Sequence, residues 1–242
     1  MLPSWLEPHR HEPLAALVDH TLLRPEATEA DILRLADEAQ RHRFGAVCVN
    51  GQWVAAVARR LGGASPRVVA VVGFPLGASG LMPKAAETRL AIADGAQEID
   101  MVMSLGHARG GHWEELRDEV LAVVDAAGGR LVKVIVESAA LSARELELGC
   151  RAAIEAGAHF VKTSTGFHPA GGATVQAVEQ MRRVAGKGAG VKASGGIRTI
   201  EEALAMLRAG ANRLGTSSAA GWGAAVAAGA PSLQELLVGG GA

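Results

Sequence analysis

The sequence predicts an α/β protein, a single-domain (β/α)8 TIM barrel, from three observations. Eight short β-branched, apolar runs occur, helical Ala/Leu/Glu/Arg segments fill the gaps between them, and the spacing stays near one βα unit throughout. The runs fall near 16–21, 45–50, 67–73, 96–103, 130–137, 158–164, 189–194 and 211–216. Strand–helix alternation of this regularity predicts a parallel sheet. Eight units in 242 residues, with no remainder for a second domain, predict closure into a barrel and not an open sheet.

Helix boundaries support this order. Ser142 with Glu145 and Thr199 with Glu202 have the S/T-x-x-E spacing in which hydroxyl and carboxylate satisfy orphan amides at a helix start. Ala156-Gly157-Ala158 and Ala209-Gly210-Ala211 put glycine where a helix ends in a left-handed residue before the next strand. One domain, 1–242, is therefore expected, with an N-terminal extension over about 1–13 and a flexible C-terminal tail over about 231–242, glycine-rich from Val238 onward.

Composition narrows the function classes. Hydrophobic types make up 49% against 20% charged, which argues for a buried core and against disorder. A formal net charge of −1 without like-charge runs, and only 3% aromatics, leave no footprint for nucleic acid. Nothing approaches a membrane span of about 20 apolar residues, and Met1–Arg10 offers no apolar signal core. Two cysteines, Cys48 and Cys150, cannot build a disulfide framework and fit a reducing cytoplasm. No histidine pair has metal-ligand helix spacing beside a carboxylate, so neither a metal nor another cofactor is implied. Gly186-Lys187-Gly188 resembles a phosphate loop only superficially, because it precedes a strand where such a loop must follow one.

Strand parity locates the chemistry. Alternation turns Lys162 and Lys192 into the barrel interior, and by the same rule Asp100 and Lys133. Burying an ammonium costs several kcal/mol unless it is paired or neutral, so three interior lysines point to function. Lys162 and Lys192 lie one βα unit apart, which puts them on neighbouring strands roughly 5 Å apart. Repulsion and desolvation should then lower at least one pKa toward neutrality and expose a nucleophilic amine, able to form an iminium with a carbonyl and so make or break a carbon–carbon bond. Asp100 could move protons in that cycle. For any one lysine the competing explanation is snorkelling at the barrel mouth or a simple ion pair with Asp100.

Phosphate is the expected handle. Ser194-Gly195-Gly196 closes the seventh strand and Gly215-Thr216-Ser217-Ser218 the eighth, both immediately before helical segments, where barrels of this kind often bind phosphate through backbone amides. Tight βα turns also favour Gly and Ser; the coincidence of both loops favours the phosphate site. Secondary candidates are Asp19 and Thr21 from the first strand and Asn50 from the second, as relay or hydroxyl contacts. Cys48, of the same parity as Asn50, is read as packing.

Five segments together resemble one family. Asp19-His20-Thr21-Leu22-Leu23, Glu98-Ile99-Asp100-Met101-Val102, Lys133-Val134-Ile135-Val136-Glu137, Val161-Lys162-Thr163-Ser164-Thr165-Gly166-Phe167 and Val191-Lys192-Ala193-Ser194-Gly195-Gly196-Ile197-Arg198 are similar, in order and spacing, to the deoxyribose-phosphate aldolases, over roughly residues 14–225. The resemblance implies a metal-free class I aldolase that interconverts 2-deoxy-D-ribose 5-phosphate with D-glyceraldehyde 3-phosphate and acetaldehyde, a cytoplasmic homo-oligomer, dimer or tetramer, of deoxyribose phosphate catabolism. It implies Lys162 as the Schiff-base nucleophile, Lys192 as the neighbour that depresses its pKa and Asp100 as the proton-transfer residue. By the same resemblance Gly195, Gly196, Ser217 and Ser218 bind phosphate, with Gly166 and Thr165 in the loop beside them. Two departures stand out. Ser104 replaces an asparagine common in relatives, and the chain has no tyrosine, whereas some members use a C-terminal one to assist proton transfer. Another Schiff-base or transaldolase-like barrel, or a barrel that only senses a sugar phosphate, are the alternatives. Product analysis separates the first, and the presence of Lys162, Lys192 and Asp100 together argues against the second.

Overall fold

The computed structural model describes residues 2–63 and 65–238. Eight strands, β1 (Val18–Leu22), β2 (Ala46–Val49), β3 (Arg67–Val72), β4 (Glu98–Val102), β5 (Leu131–Ile135), β6 (Phe160–Lys162), β7 (Gly190–Ser194) and β8 (Arg213–Thr216), follow one another around a closed barrel. Every neighbouring pair is parallel, and β8 closes on β1 with Val18 opposite Leu214 and Asp19 opposite Gly215. Each expected strand is present, shorter by one to four residues at its ends, because ladder pairing stops where the chain turns toward a helix.

Helices α1 (Glu29–His42), α2 (Val54–Leu61), α3 (Leu81–Ala93), α4 (Leu105–Gly110), α5 (Trp113–Ala127), α6 (Ala143–Glu155), α7 (Val175–Ala185) and α8 (Ile200–Ala209) connect the strands, and a short α9 (Leu233–Val238) follows β8. Both expected capping boxes form, Ser142 with Glu145 on α6 and Thr199 with Glu202 on α8. Thr28 with Asp31 adds a third on α1, where aspartate takes the glutamate role. Gly157 and Gly210 follow α6 and α8 at φ +90° and +135°, as their positions require.

Period-2 burial divides the interior. Outward strand residues such as Val47, Val68, Ile99, Val132, Val161, Val191 and Leu214 join the helices in one large apolar cluster. Inside the barrel the β2–β3 side is apolar, packed by Leu23, Ala46, Cys48, Val69 and Val71, so Cys48 is core as expected. Within the barrel, charge is confined to the remainder of the lumen; outside it, Lys84 on α3 and Glu119 on α5 form a second buried pair.

Both termini are tied down more firmly than the sequence suggests. Leu2 and Leu6 are buried in the main cluster, the indole N–H of Trp5 donates to the Leu207 carbonyl, and a 3-10 turn at Leu14–Leu17 buries three side chains beneath β1. The tail expected to be loose from about residue 231 instead starts in order: Ser232 bridges Pro13, the Leu233 N–H donates to Glu12, and Leu233 is fully buried ahead of α9. Burial of one leucine is the physical reason, and residues 239–242 lie outside the described residues.

Gly45, ahead of β2, shows how tightly the chain packs. A Cβ there would lie 2.3 Å from the Ala16 carbonyl oxygen, which belongs to backbone and cannot swing away, whereas one on Gly51 would meet nothing within 4 Å. Gly45→Ala is expected to lower stability by about 1–3 kcal/mol, and Gly51→Ala to change it by less than about 0.5 kcal/mol. Urea unfolding of both variants checks the contrast, and equal midpoints would contradict this packing.

Candidate active site

Parity brings the expected residues together. Asp100 on β4 pairs in register with Lys133 on β5, and Lys162 on β6 with Lys192 on β7. All four side chains point into the lumen and are essentially buried. Asp100 is their common partner: its Oδ1 accepts from Lys133 at 2.9 Å, and its Oδ2 accepts from Lys162 at 2.7 Å and from Lys192 at 2.8 Å. Lys192 also donates to Asp19, and Lys133 to Glu98 at 2.5 Å. Arg213 closes the circuit, donating to Asp19 at 2.5 Å and to Glu98 at 3.1 Å.

Glu98 and Arg213 complete the network and were not singled out from sequence. The signal was available, since Glu98 lies two residues before Asp100 on one strand and Arg213 stands opposite Lys192 in register. Asp19, a secondary candidate, is fully integrated, and Lys133 sits beneath Asp100, away from open space. Asn50 lies to one side: its amide donates to the Leu23 carbonyl at 3.1 Å, and it lines a second hollow with Phe74 and Leu90 that shares Leu23 and Phe167 with the cleft at the barrel mouth.

The electrostatics differ from the sequence expectation in one respect. Burial alone would push the Lys192 ammonium down, but the charges of Asp100 and Asp19 outweigh it and hold its pKa well above the ordinary lysine value. A carboxylate stands between the two amines, so bare repulsion does not discharge Lys192. Burial likewise works to raise Asp100 and Asp19, and is overcome by cations: Lys133, Lys162 and Lys192 hold Asp100 well below the usual carboxylate range, and Arg213, Lys192 and Lys133 do the same for Asp19.

Of the three amines, Lys162 alone borders the open cleft, a hollow of about 370 Å³ at the C-terminal mouth of the barrel. It has one carboxylate partner where Lys133 and Lys192 each hold two at hydrogen-bond distance. Across the cleft lie Thr165, Gly166, Gly195, Gly196, Ser217 and Ser218, all six expected positions, with Thr21 from β1. Gly166, Gly195 and Gly196 have φ of +82°, +83° and +83°. Among the described residues their N–H groups and that of Ser217 have no protein acceptor, and successive free amides of this kind form a concavity for an anion. Gly172 carries backbone against backbone here, since a Cβ on it would fall 2.2 Å from the Gly195 oxygen.

Arg24 and Arg198 also line the cleft and escaped notice in the sequence, because a loop arginine has no periodicity to mark it. Ser104, the departure from asparagine, has a local role: its hydroxyl accepts the His107 N–H at the start of α4.

Comparison with known proteins places relatives around this geometry. The model of the DeoC/LacD family aldolases matches residues 14–230. A deoxyribose-phosphate aldolase of Bdellovibrio bacteriovorus is 52% identical over 205 residues, covering 85% of this chain and 93% of that protein. One of Mycolicibacterium paratuberculosis is 54% identical over 208 residues, covering 84% and 92%. Among solved structures, the tetrameric deoxyribose phosphate aldolase of Aeropyrum pernix superposes with a TM-score of 0.78 at 36% identity, covering 85% of this chain and 87% of that one.

The network makes stability depend on pH with a definite sign. Asp19 and Asp100 have folded pKa values below the unfolded value of about 3.9, so their contribution is complete above it and is lost as acid protonates them. Lys192 is raised, so its contribution is complete below about 10.4 and is lost only as pH climbs past the raised value. His20, held down by burial, adds a smaller loss that starts as pH falls below about 6.5. The urea midpoint is expected to be level between about pH 7 and 9 and to fall steeply below about pH 4. A midpoint unchanged down to about pH 3 would contradict the ionised network.

Proposed function

Because the chain belongs to the DeoC/LacD aldolase family, we propose that it is the class I aldolase that interconverts 2-deoxy-D-ribose 5-phosphate with D-glyceraldehyde 3-phosphate and acetaldehyde through a Schiff base on Lys162. The observation that carries this is the position of Lys162: of the three interior amines it alone faces the cleft, with the glycine amides opposite.

Carboxylate pairing favours the same lysine. Inside the barrel, Asp19, Glu98 and Asp100 pair with Lys133, Lys162, Lys192 and Arg213, and Arg67 reaches Glu98 as well at 3.0 Å. Lys192 and Lys133 are each gripped by two carboxylates; Lys162, with one, is the amine left to react.

The amine of Lys162 attacks the aldehyde carbon of the open-chain sugar. With a proton taken from solvent on its hydroxyl, and returned when the last iminium is hydrolysed, the adduct loses water to leave an iminium. Its positive charge draws in the electron pair as the carbon–carbon bond breaks. Asp100, ionised because three cations surround it, is placed to act as a base and takes the proton of the β-hydroxyl directly or through water, which releases glyceraldehyde 3-phosphate. Protonation of the remaining enamine carbon and addition of water then free acetaldehyde and restore the amine. Lys192 keeps a fixed positive charge beside the reacting nitrogen. With no tyrosine in the chain, water and Asp100 carry the proton transfers.

The phosphate group belongs at the other end of the cleft, on the amides of Gly166, Gly195, Gly196 and Ser217, with the Ser217 and Ser218 hydroxyls and the Arg24 and Arg198 guanidinium groups around it. Two further parts of the proposal are assembly and place. A homo-oligomer, dimer or tetramer, is supported by the tetrameric Aeropyrum relative and by the exposed Leu76, Met82 and Leu90. Buried free thiols at Cys48 and Cys150 support work in a reducing cytoplasm, within deoxyribose phosphate catabolism.

Borohydride reduction in the presence of acetaldehyde is expected to leave a two-carbon adduct on Lys162, seen by peptide mass spectrometry. A coupled assay is expected to register glyceraldehyde 3-phosphate from deoxyribose 5-phosphate, and Lys162→Ala to lower kcat by at least about a thousandfold. A folded Lys162→Ala protein with full activity, or an adduct on Lys192 alone, would refute the assignment.

A further inference from the structure

Glu137 is an anomaly that the proposed reaction leaves unused. It is only 1% exposed, and among the described residues it is one of two non-glycine residues with positive φ, at +51°, and no lysine, arginine or histidine nitrogen lies within 4.0 Å of its carboxylate. A buried carboxylate without a cation, on a backbone conformation that disfavours side chains, is an arrangement that folding alone gives no reason to keep.

Its contacts point in one direction. Both carboxylate oxygens accept the Thr165 N–H, at 3.2 and 3.3 Å, and Oε2 accepts the Thr165 hydroxyl at 2.5 Å. The same hydroxyl oxygen then accepts the Phe167 N–H at 3.0 Å. The carboxylate thus fixes the first turn of the connection between β6 and α7, a stretch that contains Gly166, Gly171 and Gly172 and has little stiffness of its own. The kink at Glu137 keeps the strands joined on either side: Val136 N–H donates to the Lys162 carbonyl at 2.9 Å, and Ser138 N–H to the Thr163 carbonyl at 2.8 Å. One residue therefore links the end of the Lys162 strand to the arch that overhangs it.

We infer that Glu137 is a positioning residue: its carboxylate clamps the Thr165–Gly166–Phe167 arch so that the Gly166 amide and the Phe167 ring stand at fixed places around the phosphate end of the cleft. The kinetic part of this inference rests on the proposed sugar-phosphate reaction, and the structural part does not. Glu137 touches neither Lys162 nor Asp100 through its side chain, so losing it should cost substrate affinity while the amine keeps its reactivity.

Glu137→Gly tests the clamp in a form that should fold, because glycine accepts the +51° backbone better than glutamate does. In that variant the Thr165 and Phe167 amides are expected to exchange hydrogen at least about tenfold faster. KM for deoxyribose 5-phosphate is expected to rise about tenfold with kcat within about threefold, and borohydride is expected still to trap acetaldehyde on Lys162. Glu137→Gln, which retains one acceptor, is expected to fall between glycine and the native residue on both measures, and it serves the same purpose if the glycine variant does not fold. Unchanged exchange at Thr165 in a folded variant overturns the inference, as does an equal loss in kcat and kcat/KM with trapping abolished. A native enzyme that fails to cleave deoxyribose 5-phosphate would refute the reaction instead, and the exchange measurement would still decide the clamp.

Discussion

One carboxylate, that of Asp100, is what permits three lysines to share the interior of a barrel. Each of its oxygens is occupied, Oδ1 by Lys133 and Oδ2 by Lys162 and Lys192, and the cost of desolvating those ammonium groups is offset only because the geometry is shared. Without that anion the amines would face one another across adjacent strands. With it, the outer members of the set, Lys133 and Lys192, are held by a second carboxylate each, and Lys162 is left with the weakest hold and the only route to the cleft.

The apolar half of the lumen and the charged half have complementary roles. Leu23, Cys48, Val69 and Val71 fill space on one side and keep water from it, which strengthens every charge interaction on the other. The groups that make the protein acid-sensitive are therefore those that surround Lys162. At the mouth, by contrast, no carboxylate among the described residues lines the cleft, and backbone joins Arg24 and Arg198 there. Left-handed glycines line the cleft, and Gly172 against Gly195 brings two loops closer than any side chain would allow.

Much of this was legible in the sequence, for a definite reason. A strand has a side-chain period of two, so the parity of Lys162, Lys192, Lys133 and Asp100 could be assigned without coordinates, and the βα spacing put the first two on neighbouring strands. The same rule places Glu98, two residues before Asp100, and Arg213, opposite Lys192, on the inward face as well. Arg24 and Arg198 lie in connections, where no period exists, and Glu137, at the end of the run expected over 130–137, falls beyond β5 on a left-handed kink that takes it out of the strand's alternation. The expectation of mutual repulsion between Lys162 and Lys192 was incomplete for a related reason: it counted two like charges and could not know that carboxylates from β1 and β4, distant in sequence, would stand beside them.

By itself, then, the sequence determined the barrel, its eight-unit order, the inward set of ionisable residues and the glycine-rich ends of β7 and β8, since these follow from local periodicity and turn chemistry. Tertiary structure alone decided which amine meets open space, which carboxylates share it and how the Thr165 arch is held. Those outcomes depend on distances between strands and loops far apart in the chain, and only closure of the barrel sets them.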